Sequence, residues 1–276
     1  MGVALPSGFL REQSVEEHEL DVPGAARNLQ RALVVLPTES KRRAKLPVVV
    51  LLHGLGETVN PKLGVRAWVD NYGLSGALEH LHRNHLHSSA RGPYLSDDEL
   101  YAINDALHER PFHGLCAVCP FLPNPYTGGN WENALARYAD YLAEQLLPAV
   151  SAQFGELIEP SRCGIAGVSL GGFSAIEAFL RRPTTFSALG TVQGAFSKVY
   201  ALGAARRLKQ SGANPAVCVV TSSEDPYRIA NQEFARACAA NNARIELSTR
   251  KGPHSQAWLR GIGTFDALMA LDRALG

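Results

Sequence analysis

An α/β fold, with a mostly parallel central sheet layered by helices on both faces, is what this sequence predicts, and three observations predict it. Short continuous apolar runs such as Pro47-Val-Val-Val-Leu-Leu52 alternate with helix-periodic stretches through most of the chain. One run, ending at Val168, enters a helix through the glycine-punctuated turn Gly167-Val-Ser-Leu-Gly-Gly172. Two later runs are followed at once by an acidic pair and by a histidine. At 276 residues and 46% hydrophobic, the chain is long enough to bury one large core, and a single domain spanning residues 1–276 is expected.

In order, residues 14–22 and 28–36 read as two strands joined by the turn at Pro23-Gly24, an antiparallel margin of the sheet. Residues 47–52 form a strand buried on both faces, followed by His53-Gly-Leu-Gly56. The segment 58–114 breaks the rhythm, with helical pieces at 74–81 and 97–108. It is too long for a plain connection and is expected to be a cap-like insertion over the carboxyl ends of the strands. Residues 115–121 are the next strand. A helix over 130–147 follows, because Trp131, Leu135, Tyr138 and Leu142 recur at helical spacing and Asn130 is a good N-cap. Strands at 163–168, 188–193, 216–221 and 244–249 then alternate with helices after Ser169 and over 198–209, 229–240 and 264–275. Such alternation requires crossover connections and therefore parallel strands.

Charge excludes some partners. Lys and Arg number 27 against 26 Asp and Glu, so no net field draws the chain to nucleic acid or an anionic membrane. The Lys41-Arg42-Arg43 run reads as a solvated turn. No apolar run approaches the ~18 residues that span a bilayer, and the first ten residues lack the basic start and apolar stretch of an export leader. The cytoplasm is slightly favoured over export with a removed leader; composition leaves the oligomeric state open. The five cysteines read as buried thiols, since Cys116-Ala-Val-Cys119 lies on a strand, where positions three apart face opposite sides. His80, His82, His85 and His87 do not share one helix face and match no metal-ligand spacing, so no metal is expected. Gly54-Leu-Gly56 lacks the third glycine of a dinucleotide loop, and no organic cofactor is expected.

The turn at Ser169 carries the chemistry. A serine hydroxyl is a poor nucleophile at neutral pH and must be lifted from the backbone toward a base, which a sharp strand-to-helix turn achieves. The base is His254, in Gly252-Pro-His254, and the orienting acid lies in Glu224-Asp225-Pro226. Asp225 is preferred because the Asp-Pro step suits a loop residue just past a strand, with Glu224 as the alternative. Serine, then acid, then histidine is the chain order of α/β-hydrolases, and all three follow strand ends on one edge of the sheet. The oxyanion donors would be the backbone N–H of Leu170 and a second from Leu55 or Gly56. His53 is a rival base, but its place at the head of a His-Gly loop gives it a structural role there.

Glu144-Gln-Leu-Leu-Pro148 with Phe154, Ile165-Ala-Gly-Val-Ser-Leu-Gly-Gly172, Arg182-Pro183 with Phe186, and Gly252-Pro-His254 with Trp258-Leu-Arg260 resemble the putative esterase family. That group includes esterase D (S-formylglutathione hydrolase), mycolyltransferase, enterochelin esterase and feruloyl esterase types. The resemblance covers roughly residues 48–260. It implies an α/β-hydrolase fold and ester or thioester cleavage of a small-molecule substrate through an acyl-serine, with no metal or cofactor. By motif position it makes Ser169 the nucleophile, His254 the base and Glu224-Asp225 the source of the acid. The segment 58–114 matches no subgroup. Two other readings keep the same residues: an acyltransferase in which a second alcohol replaces water, and a hydrolase-like binding protein without turnover.

Overall fold

The computed structural model describes residues 15–38, 44–88 and 92–276; the Lys41-Arg42-Arg43 run and the first ten residues lie outside them. Antiparallel strands β1 (Val15–Asp21) and β2 (Arg31–Pro37) open the sheet, and β3 (Leu46–Leu52) is its first parallel member. Helices α1 (Pro61–Asp70), α2 (Leu74–His82) and α3 (Asp97–Glu109) precede β4 (Cys116–Pro120). Next come α4 (Trp131–Tyr141), α5 (Leu147–Phe154), β5 (Ile158–Val168), α6 (Leu170–Arg181), β6 (Ala188–Val192) and α7 (Lys198–Gln210). The chain closes with β7 (Ala216–Glu224), α8 (Arg228–Ala240), β8 (Arg244–Pro253), the short turn α9 (Gln256–Trp258) and α10 (Thr264–Leu275).

The eight strands lie in the order β1-β2-β4-β3-β5-β6-β7-β8, antiparallel across β1/β2 and β2/β4 and parallel elsewhere. This is the α/β-hydrolase fold. Successive strand residues feed two cores. Val48, Val50, Leu52 and Ile165 meet α4 to α8 on one face; Val49, Leu51, Ala166 and Val168 meet α1, α2, α3 and α10 on the other. Burial on both faces is why these strands read as unbroken apolar runs. Cys116 belongs to the first core and Cys119 to the second, on opposite sides of β4.

Two differences from the sequence reading have physical causes. The helix expected over 130–147 runs on to Phe154, through a π-type turn at Leu142–Leu146. Pro148 follows that turn, and its missing N–H prevents a regular helical bond there. The described part of segment 58–114 supplies α1 to α3, whose Trp68, Leu78, Ile103 and Leu107 are buried in the second core. Amphipathic helices of this kind have an apolar stripe to bury, and the sheet face offers the area. Finally, β7 and β8 extend to Glu224 and Pro253, so Asp225 and His254 sit directly at their ends. Among the described residues, no helix is long and apolar enough to cross a membrane.

Candidate active site

Because β3 and β5 to β8 run parallel, Gly54, Ser169, Gln193, Asp225 and His254 all follow strand ends on one rim of the sheet. Ser169 has φ +55° and ψ −114°, a region that L-residues avoid at a cost of about 1–3 kcal/mol. Its surroundings hold it there. Its N–H donates to Val192 O (3.0 Å), and its carbonyl accepts from Gly172 N–H (3.0 Å) and Ala195 N–H (2.9 Å). A Cβ on Gly167 would lie 2.3 Å from the Gly171 carbonyl carbon, and one on Gly171 would lie 2.4 Å from Leu52 O. The turn closes only because both side chains are missing.

The imidazole of His254 reaches this serine, with Nε2 3.2 Å from Ser169 Oγ and Nδ1 2.9 Å from Asp225 Oδ1. The carboxylate can only accept, so Nδ1 carries the proton and Nε2 is left to accept from the serine hydroxyl. Asp225 has no exposed side-chain surface, and its oxygens also accept from Thr221 Oγ1 (2.8 Å) and Tyr227 N–H (3.0 Å). Three donors hold the carboxylate, and the carboxylate and the serine hydroxyl together fix one orientation of the histidine. Glu224, the alternative acid, is exposed at the end of β7 opposite Pro253 and takes no part.

His53 is placed quite differently. It is fully buried, Nδ1 donates to Gly54 O (2.9 Å), and Nε2 accepts from Leu122 N–H (2.9 Å). Burial holds its pKa below the ordinary histidine value, against smaller opposing effects of the Gly54 carbonyl and Glu57. It therefore stays neutral and ties the end of β3 to the chain after β4.

Of the proposed oxyanion donors, Leu170 is the first residue of α6, so its N–H has no acceptor within the helix. Gly54 packs against the serine: a Cβ there would be 3.8 Å from Ser169 Cβ. Its own N–H is already given to Tyr72 Oη (3.0 Å). Leu55 is half exposed and leads into the single turn Gly56–Val59.

Sequence reasoning passed over several residues here. Gln193, at φ +47°, is buried and donates from Nε2 to Ser222 Oγ (2.6 Å) and to Pro253 O (2.9 Å), pinning the peptide before His254. Thr221 lies on β7 four residues before Asp225, and the turn that ends the strand brings its hydroxyl to the carboxylate. Beside the relay opens a cleft of ≈620 Å³ whose lining includes Tyr126, Trp131, Phe173, Tyr200, Tyr227 and Lys198. Tyr227 also meets the His254 ring edge-on at 5.8 Å.

A sequence profile of the Esterase family, described as putative esterase, matches residues 122–261, just over half of the chain. The chain belongs to the putative esterase family. The match spans Ser169, Asp225 and His254 and starts after the cap-expected segment. This esterase-family hydrolase is similar in fold to a ferulic acid esterase, at 17% identity and TM-score 0.61 over 95% of this chain and 98% of that one. It is also similar to S-formylglutathione hydrolase FrmB from Staphylococcus aureus, at 14% identity and TM-score 0.54 over 94% and 98%. The enterobactin esterase FES from Shigella flexneri matches at 17% and 0.55, over 95% of this chain but 59% of that larger one. No curated protein matches the sequence at a significant level.

Proposed function

We propose that this esterase-family protein is a serine hydrolase that cleaves a carboxylic ester or thioester through an acyl-serine, with Ser169 as nucleophile, His254 as base and Asp225 as the orienting acid. The observation that carries the reading is the unbroken relay of 3.2 Å and 2.9 Å joining three side chains from distant parts of the chain. Ser169 Oγ attacks the carbonyl carbon while its proton passes to His254 Nε2. The electron pair displaced onto the carbonyl oxygen is met by the N–H groups of Leu170 and of Leu55 or Gly56, with Leu55 favoured because it adjoins the serine-packed Gly54. As the tetrahedral intermediate collapses, the imidazolium returns its proton to the leaving alcohol or thiol. Water repeats the cycle on the acyl-serine. Asp225 keeps Nδ1 protonated throughout and stabilises the imidazolium.

The aromatic cleft supports a substrate carrying a planar ring. Its rings stack and tilt against one another, with Tyr126 and Phe173 at 6.4 Å and Phe173 and Tyr200 at 4.9 Å, and flat surfaces of this kind favour a flat partner. The test is fluorophosphonate labelling together with turnover of nitrophenyl acetate, butyrate and cinnamate. Labelling is expected to map to Ser169 and to vanish in Ser169→Ala, with turnover falling by about 10⁴–10⁶-fold. The cinnamate is expected to give the highest kcat/KM. Labelling that persists without Ser169 would refute the mechanism.

A further inference from the structure

We infer that Glu57 is a positioning residue that holds the oxyanion loop against the serine and couples it to the histidine loop. This rests on the proposed serine mechanism. Glu57 is 6% exposed, and the hydrogen bonds of its carboxylate run to other segments of the chain. Oε2 accepts from Tyr72 Oη at 2.7 Å, while Oε1 accepts from Asn71 Nδ2 at 3.1 Å and from Gln256 Nε2 at 3.0 Å. Tyr72 Oη in turn accepts the Gly54 N–H at 3.0 Å. One carboxylate thus joins the loop after β3, the end of α1 and the residue two past His254.

The physical need is specific. Gly54 is buried against the serine, but Leu55 is half exposed and a Cβ on Gly56 would meet nothing within 4 Å, so the Leu55–Gly56 end has little packing of its own to fix it. Oxyanion donors act only when held within a few tenths of an ångström of the developing charge. Tyr72 is itself rigidly set: it is 2% exposed, its carbonyl accepts from Thr264 Oγ1 (2.7 Å), and the Asn71 carbonyl accepts from Arg260 Nη1 (2.9 Å). Its hydroxyl pKa lies well above the ordinary tyrosine value, through burial first and the neighbouring Glu57 charge second, so it remains a donor to that carboxylate. The route from the core to the loop after β3 is therefore Tyr72 to Glu57 and Tyr72 to Gly54. Loss of this clamp would let the Leu55 N–H drift and leave the relay itself intact.

The experiment compares Glu57→Gln, Tyr72→Phe and the exposed Gln256→Ala with the unaltered protein. Turnover of a nitrophenyl ester is expressed per active site, counted by complete phosphonate labelling. Glu57→Gln and the nearly isosteric Tyr72→Phe are each expected to lower kcat by about 10- to 100-fold with KM changed less than about threefold, a fraction of the ~10²–10³-fold cost of deleting an oxyanion donor. The phosphonylation rate should fall in parallel, because the phosphoryl oxygen uses the same donors. Gln256→Ala should cost about threefold. Together, Glu57→Gln and Tyr72→Phe should lose little more than either change separately, since they break one chain of bonds. A purely structural role would instead reduce the number of labelled sites and leave kcat per site unchanged. If kcat per labelled site stays within about twofold of the unaltered protein in both variants, or KM rises at constant kcat, the clamp is overturned while the serine mechanism stands. Absence of Ser169-dependent labelling in the unaltered protein would remove both.

Discussion

Two histidines stand at the ends of parallel strands on the same rim of the sheet, and they have opposite fates. His254 keeps 26% of its side chain exposed, with one nitrogen on a carboxylate and the other on a serine hydroxyl. His53 is sealed in, with one nitrogen on a carbonyl and the other accepting a peptide N–H. What separates them is their partners: His254 lies between a carboxylate and a hydroxyl, whereas His53 lies between two peptide groups and burial holds its pKa below the ordinary value. Position on the rim decides nothing until both ring nitrogens are accounted for.

The comparison is sharpened most by removing each ring in turn. His254→Ala is expected to lower kcat/KM by about 10⁴–10⁶-fold with little effect on melting temperature. His53→Ala is expected to cost about 1–3 kcal/mol of stability by orphaning the buried Leu122 N–H, with activity per folded molecule reduced about tenfold or less. Calorimetry and steady-state kinetics on both variants check this, and equal losses of activity would end the distinction. Next in size is the carboxylate. Asp225→Asn should cost about 10⁴-fold in kcat by favouring the wrong tautomer of His254, and the exposed Glu224→Gln less than about twofold. Two small losses would mean that the orienting group lies elsewhere.

The smallest effect is a pH dependence. Because His53 is held below its ordinary pKa near 6.5, the unfolded chain binds the proton more readily than the folded one. Its contribution is therefore complete above about pH 6.5 and is lost as pH falls from there toward the lowered folded value. The melting temperature should drop between pH 7 and pH 5, and the slope should be shallower in His53→Gln, with the difference at most about 1.4 kcal/mol per pH unit. Parallel slopes in a thermal-shift titration would show that His53 does not titrate on unfolding.

What the sequence disclosed follows from how local each constraint is. The strand at residues 47–52 was legible because burial on both faces demands an unbroken apolar run. The turn at Ser169 was legible because backbone contacts of 2.3 Å and 2.4 Å force glycine at positions 167 and 171. The choice between Asp225 and Glu224 was only half legible, since it depends on which side chain the strand end turns toward Thr221 and the Tyr227 amide. Glu57, Tyr72 and Gln193 left no mark, because their side-chain bonds join segments 14 to 199 residues apart and no spacing rule connects them. The aromatic cleft escaped notice for the same reason, its rings coming from the segments around residues 126, 173, 200 and 227. Within 58–114 the helical pieces at 74–81 and 97–108 were legible and are α2 and α3, whereas α1 was not read.

The ordering of the sheet has one more consequence. Among the described residues its outermost strands are β1, bearing Glu16, Glu17, Glu19 and Asp21, and β8, bearing Arg244, Glu246, Arg250 and Lys251. Unpaired peptide groups along such margins invite neighbouring chains to add on as further strands, and dense charge is a common deterrent. Both margins are guarded in this way, which protects the molecule against runaway self-association at the two places where a sheet is most exposed to it.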